Sequence, residues 1–340
     1  MTAKNRIIPV FVPHLGCPND CVFCNQRTIS GSLRPAGPED VVRALEEARG
    51  KTEGAELAFY GGSFTAVPEE TQRALLEAAQ PYREEGFLRS LRVSTRPDAV
   101  TEDKLRMLRS YGVETVELGA QSMDDRVLRL SGRGHTAADT AEAAYLVHAA
   151  GMHLILQMMT GLPGADPESD LRTAQAVAAL GPEGVRIYPT VILRGTALEK
   201  AWRAGRYRAH TVSDAVETCA PIAALFRRAG IPILRLGLNP TEALSGGEAV
   251  GGAYHPALGE LVYGRLYLDL AREKLREAPR LGRRVRLLVA ENRVSVMTGR
   301  KQANLLALRW EFGLEEISVS GGAFPPETVQ KHTRYGILMY

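Results

Sequence analysis

Three of the four cysteines in this 340-residue chain fall within eight residues. Cys17, Cys21 and Cys24 are spaced C-x3-C-x2-C in the stretch Gly16–Asn25, while Cys219 stands alone in a distant helical pattern. Three thiolates on one short loop leave two chemistries open. A structural zinc ion takes four tetrahedral ligands. His14 is placed to be the fourth, but no second Cys/His pair of the kind zinc ribbons bring is visible. An iron–sulfur cluster held by three cysteines instead leaves one iron without a protein ligand, open to a substrate or cofactor. A disulfide framework fits poorly, because three clustered cysteines and one remote one do not pair off.

Other chemically able residues recur at one kind of place. Gly61-Gly62 directly follows a short apolar run, where a missing Cβ lets backbone approach a ligand or simply makes a turn. Arg96, in Ser94-Thr95-Arg96-Pro97-Asp98, carries the rigid donor fork that matches a carboxylate. Pro97 holds it extended, and a pair with Asp98 is the plain alternative. Gln121, Gln157 and Tyr188 sit at the ends of later apolar runs. Arg133 and His135 lie in a Gly-rich turn that either binds substrate or caps a helix. His148 and His153 flank a helix–strand junction and read as structural.

Positioning these residues takes short strands alternating with helices. Strands are predicted at Ile7–Val12, Leu57–Tyr60, Leu91–Thr95, Thr115–Leu118, His153–Met159, Val185–Pro189 and Ile231–Leu236. Helices are predicted at Pro38–Arg49, Pro68–Gln80, Thr101–Ser110, Ala137–Ala150, Glu168–Leu180 and Val212–Ala229, with Thr101 as an N-cap. Strands separated by helices mean βαβ units and a parallel sheet, and roughly six units fit before residue 200. No G-x-G-x-x-G follows the first strand, so an α/β fold of the open or partial (β/α)6 barrel kind fits better than a doubly wound sheet. Each polar loop then falls at the carboxyl edge of the sheet, where parallel barrels do chemistry. The cysteine loop, the glycine pair, Arg96, Gln121, the Thr160–Gly164 turn and Tyr188 share that rim, which points to an enzyme.

Composition sets the bounds. With 45% apolar and 24% charged residues the chain reads as an ordinary globular protein, and no apolar run is long enough to span a membrane. The first residues lack a secretory pattern, and sparse, clustered cysteines suit a reducing cytoplasm. Charge is uneven: residues 261–340 hold 14 Lys and Arg against 8 Asp and Glu, and the preceding 260 hold 28 against 31. A polyanion contact in the tail or a solvated basic surface would each account for this. The expected division is a core domain at 1–240 and an accessory region at 241–340. The latter holds a Gly-rich loop, Ser245–Pro256, that reads as a lid or as a linker, with Tyr254 and His255 as candidate substrate contacts. Beyond it a helix at Ala257–Glu277, strands at Arg283–Val289, Arg293–Met297 and Ile317–Val319, and a helix ending at Phe312 make a small α+β module. Arg276, Arg280, Arg283, Arg284, Arg286, Arg300 and Lys301 give that module its basic character, and RNA is one polyanion it would suit.

The cysteine spacing, with Phe23 just before the third cysteine, resembles the signature of the radical S-adenosylmethionine superfamily. Several further stretches resemble the radical domain of the Elongator catalytic subunit: Ser94–Asp98 (STRPD), Glu117–Ser122 (ELGAQS), Arg133–Thr136 (RGHT), Met159–Gly164 (MTGLPG), Val185–Thr196 (VRIYPTVILRGT) and Trp202–Tyr207 (WRAGRY). The resemblance spans about residues 7–240. It implies the partial barrel, a [4Fe–4S] cluster on Cys17, Cys21 and Cys24, and S-adenosylmethionine as cofactor. Phe23, Gly61, Gly62, Ser94, Arg96, Gln121, Gln157 and Tyr188 would then line the cofactor site, and Arg133 and His135 would be substrate candidates. It also implies an electron donor of flavodoxin or ferredoxin type, and RNA, of the tRNA class, as substrate. Two departures stand out. The Elongator subunit has four residues between its first two cysteines, and it carries a C-terminal acetyltransferase domain for which residues 241–340 show no acyl-coenzyme A loop. The same radical chemistry on a small metabolite or tetrapyrrole, or a non-catalytic cluster scaffold, are the other readings.

Overall fold

The computed structural model describes residues 7–12, 17, 21–25, 36–52, 54–242, 244–277, 283–325, 329–333 and 336–337. His14 and Arg280 lie outside the described residues. Seven strands form one sheet: β1 (Ile7–Val12), β2 (Ala55–Gly61), β3 (Leu88–Thr95), β4 (Val113–Gln121), β5 (His153–Thr160), β6 (Gly184–Pro189) and β8 (Ile233–Leu236). They are parallel and lie side by side in chain order. Intervening helices cover one face, as right-handed crossovers require. This is the curled half-barrel expected from the alternation of strands and helices, with β8 as its seventh strand.

Strand burial explains the layering. In β1 the residues alternate exposed and buried, with Ile8, Val10 and Val12 turned to the helices. The same face of the other strands supplies Leu57, Phe59, Leu91, Val93, Val116, Leu118, Leu154, Leu156, Val185 and Ile187 to one apolar core. Helix starts follow local chemistry: Thr101, Thr136 and Thr211 each accept a backbone N–H of the first turn of the helix they cap.

The opposite, concave face is polar. Arg92 Nη2 pairs with Glu56 at 2.7 Å and its Nη1 with Glu117 at 2.6 Å. Arg186 Nε reaches the other Glu117 oxygen at 2.9 Å. The Tyr60 hydroxyl donates to Glu117 at 3.2 Å and accepts from Arg186 at 3.0 Å. Burial, with Glu117 beside it, pushes the Tyr60 hydroxyl above its usual range, so it stays a neutral donor. Two carboxylates and two guanidinium groups from β2, β3, β4 and β6 thus cancel inside the sheet.

Three short elements escape the periodicity of the sequence: the helix Asp125–Leu130, the strand β7 (Val191–Leu193) and the helix Ala197–Arg203. The helix predicted to run to Gln80 ends at Glu77, and a second starts at Gln80 with Pro81 in its first turn. In the tail, β9 (Ala249–Gly252) pairs antiparallel with β7. The helix Leu258–Arg276 then bridges two cores, Leu258, Val262 and Leu266 in the main one and Tyr267, Ala271 and Leu275 in a smaller one. The smaller core lies against a four-stranded sheet whose centre is β10 (Arg284–Ala290). One predicted tail strand is corrected: Arg293–Met297 is helical, a tight turn over Glu291–Arg293 leading into Val294–Thr298. Val294, Val296 and Met297 pack on the smaller core, and the adjacent pair Val296 and Met297 shares one side there as the two faces of a strand would not. Glu117→Leu would leave Arg92 and Arg186 facing each other without their shared carboxylate. The expected loss is about 3–5 kcal/mol, read as a lower midpoint in urea unfolding.

Candidate functional site

Above that neutralised floor, at the carboxyl ends of the strands, opens a cavity of about 710 Å³. Its wall includes Cys17, Cys21, Phe23, Cys24, Gly61, Gly62, Ser94, Arg96, Gln121, Arg133, Gln157 and Tyr188, with Glu117 and Arg186 beneath. Residues from seven segments of the sequence therefore meet at one mouth, of a size that takes a nucleoside-sized ligand.

The cysteine loop is clamped by segments that share no sequence proximity with it. Val22 N donates to Ser131 O at 3.0 Å, Leu198 N donates to Val22 O at 2.8 Å, and Cys24 N closes a turn on Cys21 O at 2.9 Å. Asn25 Nδ2 donates to Arg194 O at 2.9 Å. Arg194 in turn bonds Glu248 O through its N–H and Gly247 O through its guanidinium. Phe23 and Tyr188 both pack on the small cluster of Val127, Met159 and Leu162. Both short helices missed from sequence, and β7, thus serve to seat this loop.

Gly61 ends β2 with φ +106°, a backbone conformation open to glycine, and Gly62 N donates to Val12 O at 2.9 Å. Ser63 ties this turn to β3: its hydroxyl contacts Thr95 Oγ1 at 2.9 Å and accepts Arg96 N at 3.1 Å. Arg96 is 2% exposed. Its Nε and Nη2 grip Asp98 at 2.7 and 3.0 Å, and Nη2 also donates to Arg133 O at 2.8 Å. The pair with Asp98 is therefore made, yet Nη1 stays buried with no partner. One strong donor is left over at the wall of the cavity, an arrangement that suits an anionic ligand group.

Gln121 bends β4 at a non-glycine φ of +64°, beside a register shift against β5. Such a conformation costs about 1–3 kcal/mol and collects at binding sites. Gln157 Nε2 donates to Gln121 Oε1 at 3.1 Å, fixing both amides at the mouth. The Tyr188 hydroxyl is raised by burial, against the pull of neighbouring Arg186.

Three sequence candidates stand outside the cavity wall. His135 is buried with Nε2 against Ala120 O at 3.2 Å, and burial next to Arg133 lowers it to about 4, so it is neutral near pH 7. Tyr254 bonds Ser245 at 2.9 Å, and His255 Nδ1 accepts Ala257 N at the head of the tail helix. Leu238, Asn239, Thr241 and Leu244 line the cavity in their place, and nothing in their types marked them. Cys219 is buried beside Thr160, and burial pushes its thiol up to about 12. His148 and His153 are remote, His148 bonding Leu180 O at 3.2 Å.

The donor set can be tested against a metal group. Among the described residues, no three His, Cys, Asp or Glu side chains converge tightly enough for a single ion. A zinc ion needs its ligands at one point, whereas a cubane cluster binds each thiolate at a different corner. Cys17, Cys21 and Cys24 lining one cavity with the unpartnered Arg96 donor fit a three-cysteine cluster and an anionic cofactor end.

Comparison with known proteins agrees. The chain matches the model of the Radical SAM superfamily over residues 11–177 and that of the Radical SAM C-terminal domain over 182–267. It is 29% identical over 257 residues to a tRNA uridine(34) acetyltransferase of Dehalococcoides mccartyi, covering 64% of this chain and 56% of that protein. It is 31% identical over 204 residues to Elongator complex protein 3 of Mus musculus, covering 54% of this chain and 37% of that one. The chain thus spans about half the length or less of these relatives. Among solved structures, archaeal Methanocaldococcus infernus Elp3 superposes with a TM-score of 0.62 at 22% identity, over 78% of this chain and 63% of that one, which shows the shared fold.

The Thr160–Gly164 turn yields a pH prediction. Buried Asp170 accepts Gly161 N at 2.9 Å, and burial raises its carboxyl to about 7. The folded state therefore holds a proton that the unfolded chain releases near pH 4. That contribution is full below pH 4 and is lost as pH rises through about 7. Asp170→Asn, which keeps an acceptor for Gly161 N, is expected to flatten the fall in melting temperature between pH 5 and 8.

Proposed function

The chain belongs to the radical S-adenosylmethionine superfamily, and from that premise we propose that it is a radical enzyme acting on RNA, with tRNA as the class. The carrying observation is the convergence of Cys17, Cys21 and Cys24 with the Gly61-Gly62 turn and the Arg96 donor on one cavity at the carboxyl edge of a parallel sheet. A [4Fe–4S] cluster and S-adenosylmethionine, once bound, supply the reductive cleavage that releases a 5′-deoxyadenosyl radical.

The protein's share is to bind, orient and shield. Cys17, Cys21 and Cys24 hold the cluster. The backbone at Gly61-Gly62 admits the amino end of the cofactor, and Arg96 Nη1 meets a carboxylate oxygen. Phe23 and Tyr188 wall the adenosyl end, Gln121 and Gln157 offer amide contacts, and Ser94 a hydroxyl. Glu117 beneath is saturated by Arg92, Arg186 and Tyr60, so among the described residues the floor offers no free carboxylate to quench or divert the reaction. Residues 1–240 are the radical-bearing domain. Residues 241–340 are an accessory region that adds Thr241 and Leu244 to the wall. A flavodoxin or ferredoxin type of protein supplies the electron, and the cytoplasm is the compartment.

The tRNA reading rests on the names of the relatives and on the tail. Arg300, Lys301 and Arg309 are exposed there, and Trp310 is 86% exposed on the same helix as Arg309. Cations beside an open aromatic ring suit phosphate contact and base stacking. Among the described residues no helix is long and apolar enough to cross a membrane.

The test is anaerobic reconstitution with iron and sulfide, reduction, and addition of S-adenosylmethionine with and without total tRNA. Release of 5′-deoxyadenosine is expected, stimulated by tRNA. Cys21→Ala is expected to lose iron and product together, and Cys219→Ala to keep both. Product formation that tRNA leaves unchanged, and that a small-molecule extract stimulates, would move the substrate to a metabolite. In binding titrations, joint replacement of Arg300, Lys301 and Arg309 by Ala is expected to weaken tRNA binding and lower its log–log salt slope by up to about 3. An unchanged slope would remove the tail from the interface.

A further inference from the structure

Arg133 reads from sequence as a substrate contact, but its surroundings point elsewhere. Its Nη1 donates to Cys21 Sγ at 3.6 Å, and its Nη2 donates to Gly119 O at 2.8 Å. Its own carbonyl accepts Arg96 Nη2 at 2.8 Å, and its N–H donates to Leu128 O at 3.0 Å. It is flanked by Gly132 and Gly134, both left-handed at φ +64° and +77°, a backbone path that side chains resist. The neighbouring Ser131 carbonyl accepts Val22 N. The guanidinium and the Cys21 sulfur are therefore carried by two segments bonded to each other through their backbones. Both residues are buried, Arg133 at 9% and Cys21 at 8% exposure.

We propose that Arg133 is a positioning residue for the cluster, its guanidinium a fixed cation and hydrogen-bond donor at the Cys21 sulfur that raises the cluster's reduction potential. The proposal rests on the cluster assignment above. A cysteine-bound cluster gains negative charge on reduction, so a buried cation at one of its sulfurs favours the reduced form. Among the described residues, the neighbouring cationic or titratable groups are otherwise occupied. Arg96 is matched by Asp98, and His135 is neutral near pH 7. Gly119 takes part as well. A Cβ there would lie 2.9 Å from Arg133 Nη2 and 2.8 Å from Gln121 Nε2, so the flexible ends of both side chains would have to move. Gly119→Ala thus displaces the guanidinium without changing any charge.

The test compares reconstituted wild-type protein with Arg133→Gln, Arg133→Lys and Gly119→Ala. Iron and sulfide per chain are measured, then the midpoint potential by redox titration followed by electron paramagnetic resonance. Arg133→Gln is expected to titrate at a more negative potential than wild type, with Arg133→Lys between them and Gly119→Ala shifted in the same direction. Full iron content with potentials equal to wild type would overturn the proposal. If Arg133→Gln takes up no iron, the other two variants decide, and wild-type potentials in both would again overturn it. A wild-type chain that assembles no cluster would overturn the functional reading itself, a result distinct from a cluster whose potential ignores Arg133.

Discussion

The carboxylate of Glu117 is the constraint on which the rest depends. It stands on the central strand of the sheet and takes donors from Arg92, Arg186 and Tyr60, which belong to three other strands. Parallel sheets of this kind normally bury both faces with apolar side chains. Here one face is polar, and only a closed set of opposite charges makes that tolerable in a poorly solvated interior. The network does two things at once. It draws the strands toward a common centre, and it consumes every charge at the base of the cavity. Above it, the rim gathers the three cysteines, the glycine pair, Arg96 and the amides of Gln121 and Gln157.

The rim was legible in the sequence because it is written locally. A strand followed directly by a polar or glycine turn marks a carboxyl edge whatever the tertiary structure, and Gly61-Gly62, Arg96, Gln121 and Tyr188 all obey that grammar. The floor was not legible. Glu56, Tyr60, Arg92 and Arg186 are ordinary members of alternating strands, and only strand register shows that they share a centre with Glu117. The seat of the cysteine loop was hidden for a related reason. Asp125–Leu130, Val191–Leu193 and Ala197–Arg203 are too short to show periodicity. Their worth lies in the hydrogen bonds that they or the residues ending them make with Val22 and Asn25, some 110 to 175 positions earlier in the chain.

Arg96 shows where reasoning from residue type stops. A salt bridge with Asp98 and a role in binding looked like competing readings, and the geometry makes them compatible. Asp98 takes two nitrogens and fixes the plane of the guanidinium, which leaves the third buried without a partner. Arg133 makes the complementary point. Its place in a Gly-rich turn leaves substrate binding or helix capping open from sequence, whereas the two left-handed glycines turn it inward against sulfur. The tail error has the same root: Val294–Met297 reads as strand or helix until its packing partner is known.

The ribbon of β7 and β9 carries a consequence for how such chains diversify. Gly252 lies at φ +85° with its Cα pressed so close to Thr190 O that a Cβ would come within 2.7 Å, and the strand before it holds Arg194, which holds Asn25 beside the third cysteine. The cysteine loop is thereby braced by a segment that follows the half-barrel in sequence. A new C-terminal domain joined past Leu266, the last residue the tail helix lends to the main core, would leave core and brace intact, but a crossover nearer Pro240 would remove the brace. The natural seam for exchanging accessory domains therefore lies beyond the ribbon, and recombination between distant relatives should have left the glycine-rich segment travelling with the barrel.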